Sequence, residues 1–168
     1  MVRLLDLAAN GGPPQTVGIH DAPIRALRFS RLPNSESPMI VTRSWDKTVR
    51  YWDSRSPTPA ATLNFAERVY SMDVKDNVLV IATAVQGIHV VKLQNPTRIY
   101  KSPVCGLKNQ IRDVSCFNDG MGCTIGEIGG RVQFLWTDDL PDPCVFSRFP
   151  KPVLSLMFCL QTYKELLL

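Results

Sequence analysis

Four short segments of the chain alternate apolar and polar positions in the same way, and they recur at a nearly constant interval. They are PIRALRF (23–29), RVYSMDV (68–74), QIRDVSC (110–116) and PVLSLMF (152–158). Their second residues, Ile24, Val69, Ile111 and Val153, are separated by 45, 42 and 42 positions. A period of two predicts a β-strand in each segment, and the regular interval predicts an internal repeat.

After each of the first three segments come a second apolar run, a turn and a third apolar run. These pairs of runs are 39–42 and 49–52, 78–82 and 88–93, and 122–125 and 132–136. Several strands in a period of about 40–45 residues indicate the blades of a β-propeller. The sequence therefore predicts an all-β fold, a partial propeller of about three blades.

The repeat also predicts how the chain divides into blades. Residues 1–19 are expected to end a preceding blade, and residues 151–168 to form the first strand of a further blade or an aberrant tail. Three blades are expected between them, at 20–65, 66–107 and 108–150.

The stretch SWDKTVRYWDSRS (44–56) carries the strongest local signal, with two Trp-Asp pairs. Asp46 is predicted in the turn between the second and third strands, and Trp52 is predicted to fill the gap between neighbouring blades. Asp46 would accept a hydrogen bond from His20, and His20 would reach a hydroxyl on the second strand and the indole N–H of Trp52. The hydroxyl would belong to Thr42 or Ser44, and such a buried network stabilises when all its groups are paired.

The two later repeats lack this signature. Val85 and Gly129 stand in place of Asp46, and Val91 and Leu135 in place of Trp52.

Six segments occur in the order seen in the WD-repeat mRNA-export nucleoporins, and the chain resembles this family. The segments are HDAPIRALRF (20–29), SWDKTVRYWDSRS (44–56), ERVYSMDV (67–74), VLVIATA (78–84), LQNPTRIYKSP (93–103) and GGRVQFLW (129–136). The chain is similar, less closely, to the sibling of this family in the spindle checkpoint. The resemblance extends from about Val2 to Trp136, which is about three of the seven blades of the family.

The partial match implies a fragment, or a diverged partial copy, of a longer gene. Such a chain would begin inside one blade and stop as another starts, and would leave two blade faces exposed. Two departures from the family are relevant to the predicted site. Arg43 stands where a small glycine is expected, and Gly129 stands where an acid is expected, which would loosen the turn that presents Arg131.

Composition and charge limit the function classes. With 168 residues, 45% hydrophobic and 20% charged, the composition is that of an ordinary globular protein. No apolar stretch approaches the ~20 residues of a membrane span, and residues 1–7 are too short and too quickly polar for a secretory signal. We therefore expect no membrane partner and a location in the nucleus or cytosol. The net charge of +4 is compatible with an acidic peptide or RNA.

The cysteines and histidines do not form a reactive constellation. The five cysteines contain no C-x-x-C pair and are interpreted as buried thiols: Cys105, Cys116, Cys123, Cys144 and Cys159. His20 is assigned to the blade network, and His89 lies in an alternating run. The glycine-rich stretch 126–130 lacks the Lys-Ser/Thr ending of a phosphate loop and is predicted to be a turn. We expect no enzyme, no metal, no cofactor and no small-molecule substrate.

The rim of the predicted propeller offers a better candidate site. The loops before each first strand and the turns between second and third strands share one face of a propeller. That face would collect one tryptophan and four basic residues: Trp45, Lys47, Arg68, Arg112 and Arg131. Arginine pairs well with carboxylates, and Arg and Trp are common in binding hot spots.

Alternatives stay open for three of these residues. Arg68 and Arg112 could be solvated rim charges, and Trp45 could pack against the next blade. Substitution of Arg25, in the first strand, is expected to affect folding or nothing.

The resemblance adds a partner. In the export nucleoporins the arginine that matches Arg131 meets glutamates of a short nucleoporin segment called GLEBS. The resemblance implies a non-catalytic scaffold at the nuclear pore that binds an acidic GLEBS-like peptide, with single-stranded RNA as a second partner. The alternatives are a spindle-checkpoint adaptor at the kinetochore and a non-functional gene fragment.

Overall fold

The computed structural model of the chain describes residues 1–5, 13–31, 38–85 and 87–137, together with the backbone of 145–146. Among these residues the regular elements are β-strands, and no helix occurs. The strands are β1 (Val2–Leu4), β2 (Gln15–Gly18), β3 (Ile24–Ser30), β4 (Met39–Ser44), β5 (Thr48–Asp53), β6 (Pro59–Asn64), β7 (Val69–Lys75), β8 (Val78–Thr83), β9 (Ile88–Lys92), β10 (Ile99–Lys101), β11 (Ile111–Cys116), β12 (Gly122–Glu127), β13 (Val132–Trp136) and β14 (Val145–Phe146). The predicted all-β class is confirmed.

The strands form antiparallel meanders that follow the chain order. Three sheets of four strands have the orders β3-β4-β5-β6, β7-β8-β9-β10 and β11-β12-β13-β14, and β1 pairs with β2. A four-stranded meander is the blade of a β-propeller. We refer to the three sheets as blades one, two and three.

Strand β8 shows why several apolar runs lack polar interruptions. Leu79 and Ile81 pack in the core between blades one and two, whereas Val80 and Ala82 pack in the core between blades two and three. All four side chains are fully buried. A strand covered on both faces requires an apolar residue at every position, so blade two lies in the middle of the stack.

Polar contacts hold the first strands of the three blades side by side. Arg28 donates through Nε to Asp73 Oδ1 at 2.9 Å, and the backbone N–H of Cys116 donates to Asp73 Oδ2 at 2.8 Å. Ser71 Oγ donates to Asp113 Oδ1 at 2.9 Å. These bonds join β3 to β7 and β7 to β11, so the blades radiate from adjacent first strands.

Trp52 lies in a third apolar cluster, between β5 and the β1–β2 pair. It packs there with Val2, Val17 and Ile40. A Cβ atom on Gly18 would lie 2.6 Å from the Trp52 ring, so only glycine allows the chain to pass this close.

Some expectations fall outside the described residues. They concern the strand at 152–158, the span 151–168 and the thiols of Cys144 and Cys159. Cys105, Cys116 and Cys123 are free thiols. Within the described ranges, no helix has the length and apolar character that a bilayer crossing requires.

Candidate functional site

The polar network of blade one is a continuous chain of hydrogen bonds. Trp52 Nε1 donates to Thr42 Oγ1 at 2.7 Å, Thr42 Oγ1 lies 2.7 Å from His20 Nε2, and His20 Nδ1 lies 2.7 Å from Asp46 Oδ2. Because an ionised carboxylate only accepts, the proton of His20 is assigned to Nδ1, and Nε2 accepts from the Thr42 hydroxyl. The hydroxyl that contacts His20 is therefore that of Thr42 and not that of Ser44. The indole N–H of Trp52 donates to Thr42 and not to His20.

Ser44 and Thr48 hold the turn around Asp46 instead. Ser44 Oγ donates to the Ala22 carbonyl at 3.0 Å and accepts from the Asp46 N–H at 3.2 Å. Thr48 donates to Asp46 Oδ1 through its hydroxyl at 2.6 Å and its N–H at 3.0 Å. Thr48 was missed in the sequence, where a threonine two positions after a turn aspartate was the available signal.

The pKa shifts of Asp46 and His20 agree with these contacts. Burial alone would raise the pKa of Asp46, but the hydrogen bonds from Thr48 and His20 outweigh it and lower that pKa. Burial lowers the pKa of His20, although Asp46 opposes this effect. The network therefore contains a carboxylate and a neutral imidazole at neutral pH.

Three equivalent backbone bonds define one face of the blades. The turn after the second strand of each blade donates an N–H to the segment before its first strand: Trp45 to Pro23 at 3.2 Å, Ala84 to Arg68 at 2.9 Å, and Ile128 to Gln110 at 2.9 Å. We call the surface formed by these turns and segments the upper face. Trp45, Ala84 and Ile128 occupy equivalent positions on it.

Trp45 is half-buried on the upper face and contacts two arginines. The guanidinium carbon of Arg25 lies 5.0 Å from the Trp45 ring centroid, and that of Arg68 lies 5.7 Å from it. Both distances fit cation–π contacts. Arg25 and Arg68 are exposed residues, so the three side chains present a cationic and aromatic surface.

The structure places Arg25 beside Trp45, a contact that the sequence did not indicate. Ile24 pairs with Ser44 across β3 and β4, and this register brings Arg25 next to Trp45. Sequence reasoning missed it because strand alternation does not reveal the pairing register.

Lys47 and Arg112 also lie on the upper face, but they do not touch Trp45 in the same way. Lys47 Nζ donates to the Ala66 carbonyl at 2.7 Å, which links the turn of blade one to the start of blade two. Arg112 is exposed and follows Ile111 on β11, as Arg25 follows Ile24 on β3. It therefore occupies in blade three the position that Arg25 has in blade one.

In blade three, a buried acid closes the turn between the second and third strands. Glu127 is fully buried; its Oε2 accepts from the N–H groups of Lys108 at 2.9 Å and Asn109 at 2.8 Å. Its Oε1 accepts from Asn109 Nδ2 at 2.9 Å. Arg131 Nε lies 3.8 Å from the same Oε1, and the Arg131 side chain is partly exposed.

The turn that presents Arg131 is not loosened by Gly129, contrary to the expectation. The acid is present two residues earlier, as Glu127, and a Cβ atom on Gly129 would lie 2.5 Å from Asn109 Nδ2 and 2.9 Å from Glu127 Oε1. The turn is also closed by backbone bonds, from Gly130 N to Glu127 O at 3.1 Å and from Glu127 N to Arg131 O at 3.0 Å. Gly130 has φ of 80°, which favours glycine.

The described ranges hold no group of three or more His, Cys, Asp or Glu side chains placed to bind a metal ion. Burial raises the pKa of Cys105 and raises that of Cys123 to about 12. These thiols are protonated at neutral pH and are poor nucleophiles. Among the described residues, the upper face presents positive charge and the aromatic ring of Trp45.

Curated proteins match the sequence, although no protein-family model does. The WD40 repeat protein poxJ of Penicillium oxalicum is 48% identical over 137 residues, or 82% of this chain and 39% of that protein. The mRNA export factor GLE2 of Chaetomium thermophilum is 47% identical over 145 residues, 86% of this chain and 40% of that protein.

The Poly(A)+ RNA export protein of Schizosaccharomyces pombe is 44% identical over 128 residues, 76% of this chain and 36% of that protein. The chain belongs to the WD-repeat proteins. It spans about two fifths of the length of these relatives. A mitotic checkpoint protein, BUB3.1 of Arabidopsis thaliana, is a more distant relative at 33% identity over 134 residues.

Arg43 is a partly buried arginine that links blades one and two. It donates through Nη1 to the Val69 carbonyl at 3.0 Å. Its Nε is buried and has no hydrogen-bond partner among the described residues. Burial, together with the positive charge of Arg25, lowers the pKa of Arg43 to about 10, so the guanidinium stays charged at neutral pH.

Proposed function

We propose that the chain is part of a non-catalytic WD-repeat scaffold of the mRNA-export kind, which acts in the nucleus at the nuclear pore. Its upper face would dock an acidic nucleoporin peptide of the GLEBS type. The observation that carries this proposal is the placement of Trp45 against two exposed arginines, Arg25 and Arg68. The names of GLE2 and the Poly(A)+ RNA export protein support the export role.

Each residue has a distinct task in the proposed complex. Carboxylates of the peptide would pair with Arg131 and Arg112 on blade three and with Arg68 on blade two. Trp45 would supply apolar area beside the charges. Lys47 would contribute to the local potential, since its ammonium is held by the Ala66 carbonyl.

Single-stranded RNA stays a predicted second partner of this face. An aromatic ring flanked by arginines is a surface on which a base stacks. Binding would weaken as salt rises, because phosphate contacts release counterions.

A checkpoint role is the second candidate function, and the observation that favours it is the relation to BUB3.1. The upper face would then bind a similar acidic peptide from a checkpoint protein. The higher identities to export factors, 44–47%, favour the export role.

Calorimetric titration of an acidic GLEBS-type peptide against the 168-residue chain tests the proposal. We expect Trp45→Ala to weaken binding by about tenfold or more, as central aromatic residues do, and Arg25→Ala by several-fold. Arg98→Ala is the matched control, since Arg98 is an exposed arginine in the connection between β9 and β10. Equal binding of a peptide with lysine in place of glutamate would contradict the proposal.

A further inference from the structure

The connection between β5 and β6 contains two hydroxyl residues that are each followed by proline. Residues 55–59 have the sequence RSPTP, so Pro57 follows Ser56 and Pro59 follows Thr58. Strand β5 begins at the turn of the upper face and runs away from it, so this connection lies at the opposite end of blade one. It takes no part in the upper face or in the polar network of blade one.

Thr58 is the more accessible of the two hydroxyl residues. Thr58 and both prolines are exposed, whereas Ser56 is half-buried. The N–H of Ser56 donates to the Asp53 carbonyl at 3.0 Å, which holds Ser56 in a turn. A proline disfavours the helical conformation at the residue before it, so Pro59 favours an extended backbone at Thr58. Thr58 therefore combines exposure with the backbone that an enzyme cleft accepts in a substrate segment.

The contacts of Thr58 are local and weak. Its Oγ1 lies 3.1 Å from Ser56 Oγ, which is longer than the distance of about 2.8 Å typical of paired hydroxyls. Its N–H donates to the same Ser56 Oγ at 3.3 Å. An enzyme that binds this segment would displace these contacts without breaking a bond between strands.

Ser102 provides a comparison within the same chain, because it is exposed and is followed by Pro103. Its Oγ lies 2.8 Å from Nδ1 of His89, and Pro103 is half-buried. Both the hydroxyl and the following proline are therefore less available than at Thr58. Ser37, which precedes Pro38, lies outside the described residues.

Arg55 supplies a guanidinium close to Thr58 in the chain. It donates to Asp53 through Nη2 at 2.7 Å and through Nε at 3.0 Å, and its side chain is 67% exposed. A guanidinium has more N–H donors than a single carboxylate engages. A phosphate on Thr58 would carry a charge of about −2 and accept charge-assisted hydrogen bonds from Arg55.

We propose that Thr58 is a phosphorylation site of a proline-directed protein kinase and that Arg55 binds the phosphate. The Thr58 hydroxyl attacks the γ-phosphorus of ATP, and a bond forms between Oγ1 and phosphorus. The bond from that phosphorus to the oxygen bridging the β- and γ-phosphates breaks, ADP leaves, and the hydroxyl proton passes to a base of the kinase. The modified residue lies at the opposite end of blade one from the upper face.

Incubation of the folded 168-residue chain with ATP and a purified proline-directed kinase tests the acceptor. Mass spectrometry assigns the phosphate to individual residues over a time course. We expect Thr58 to be modified at least about tenfold faster than Ser102, whose hydroxyl is held by His89, and faster than Ser56. Thr58→Ala should remove the fast phase, and circular dichroism should show the β-sheet signal of the wild-type chain.

Two synthetic peptides are the control for the contribution of the fold. They span residues 50–64 and 96–110, so each contains its acceptors without the surrounding sheets. We expect Thr58 and Ser102 to be modified at similar rates in the peptides, because neither exposure nor the His89 contact then distinguishes them.

Phosphorus NMR of the modified chain tests the role of Arg55. The second pKa of a phosphothreonine is about 6, and a nearby cation lowers it. Arg55→Ala should raise this pKa by at least about 0.3 units relative to the wild-type chain. Arg98→Ala is the matched control, since Arg98 is an exposed arginine on blade two, and it should leave the pKa unchanged.

The proposed acceptor is refuted if Thr58 stays unmodified, if Ser56 or Ser102 is modified as fast in the folded chain, or if the peptides show the same preference as the chain. An equal phosphate pKa in the wild-type chain and Arg55→Ala would refute the role of Arg55 and leave the acceptor in place. None of these results depends on peptide binding at the upper face.

Discussion

In blade one, the polar contacts that stabilise the fold are concentrated on a single residue, Asp46. The chain of bonds from Trp52 through Thr42 and His20 ends on Asp46, which also holds both donors of Thr48. Asp46 thus pairs groups from the segment before β3 and from β5. Loss of its carboxylate would leave several buried donors without an acceptor.

We therefore expect Asp46→Ala to lower the free energy of unfolding by about 3 kcal/mol, the cost of leaving buried donors unpaired. Chemical denaturation followed by circular dichroism measures this difference. Asp21→Ala is the control, because Asp21 has a carboxylate that is 85% exposed and pairs with Arg50 at the surface. That change should cost no more than about 0.5 kcal/mol, and an equal loss for both variants would contradict the role of the network.

The two histidines predict how stability depends on pH. Burial lowers the pKa of His20 and of His89 below 6.5, so the unfolded chain takes up protons first as the pH falls. Their contribution to stability is therefore complete above pH 6.5, declines below it, and stops declining beneath the folded-state pKa.

Thermal unfolding between pH 7.5 and 5.5 should show a melting temperature that falls with acidification. His89→Gln removes one of the two titrating groups and should flatten the slope. A melting temperature that rises on acidification would refute this account of the two imidazoles.

At the level of elements, the sequence predicts strands better than it predicts the contacts between them. Alternation and spacing are local properties, so the strands around Ile24, Val69 and Ile111 were predicted. The choice between Thr42 and Ser44 depends on which residue of β4 lies next to His20, and no local pattern encodes this position. Arg25 was missed for a similar reason, since it meets Trp45 only through the register of β3 and β4.

The contacts of Glu127 in blade three could not be predicted from the local sequence either. Gly129 is equivalent to Asp46 in the turn of blade one, but the acid that closes the turn of blade three is Glu127, at the end of β12. Its role depends on the path of the chain at Lys108 and Asn109, whose N–H groups bind the carboxylate. Only the folded structure shows that path.

We expect Glu127→Ala to release the segment that precedes β11. The N–H groups of Lys108 and Asn109 would lose their acceptor, so hydrogen exchange at these two amides should accelerate by at least about tenfold, equivalent to ~1.4 kcal/mol of local stability. Glu127→Gln keeps one acceptor oxygen and should have a smaller effect. Unchanged exchange in Glu127→Ala would show that the carboxylate does not hold this segment.

At the level of the whole molecule, the described blades form an open arc. Blade two is covered on both faces. The outer face of blade one is covered only in part by β1 and β2, and Phe29 on β3 stays exposed. A closed propeller ring covers such faces with further blades.

The isolated 168-residue chain is therefore expected to self-associate through its uncovered blade faces. Sedimentation velocity over a range of concentrations should show species larger than a monomer. A monomer that melts in a single cooperative calorimetric transition would contradict this expectation.

The central claim is that the upper face binds an acidic peptide through Arg131 and its neighbours, and one titration tests it most directly. An acidic GLEBS-type peptide is titrated against the wild-type chain, Arg131→Ala and Arg131→Glu, each completed with further blades that cover its outer blade faces, with circular dichroism as the check on folding. We expect Arg131→Ala to cost about 2 kcal/mol of binding free energy. Arg131→Glu should cost more, because it places like charges together. Equal affinity of the wild-type chain and Arg131→Glu for the peptide would contradict the account.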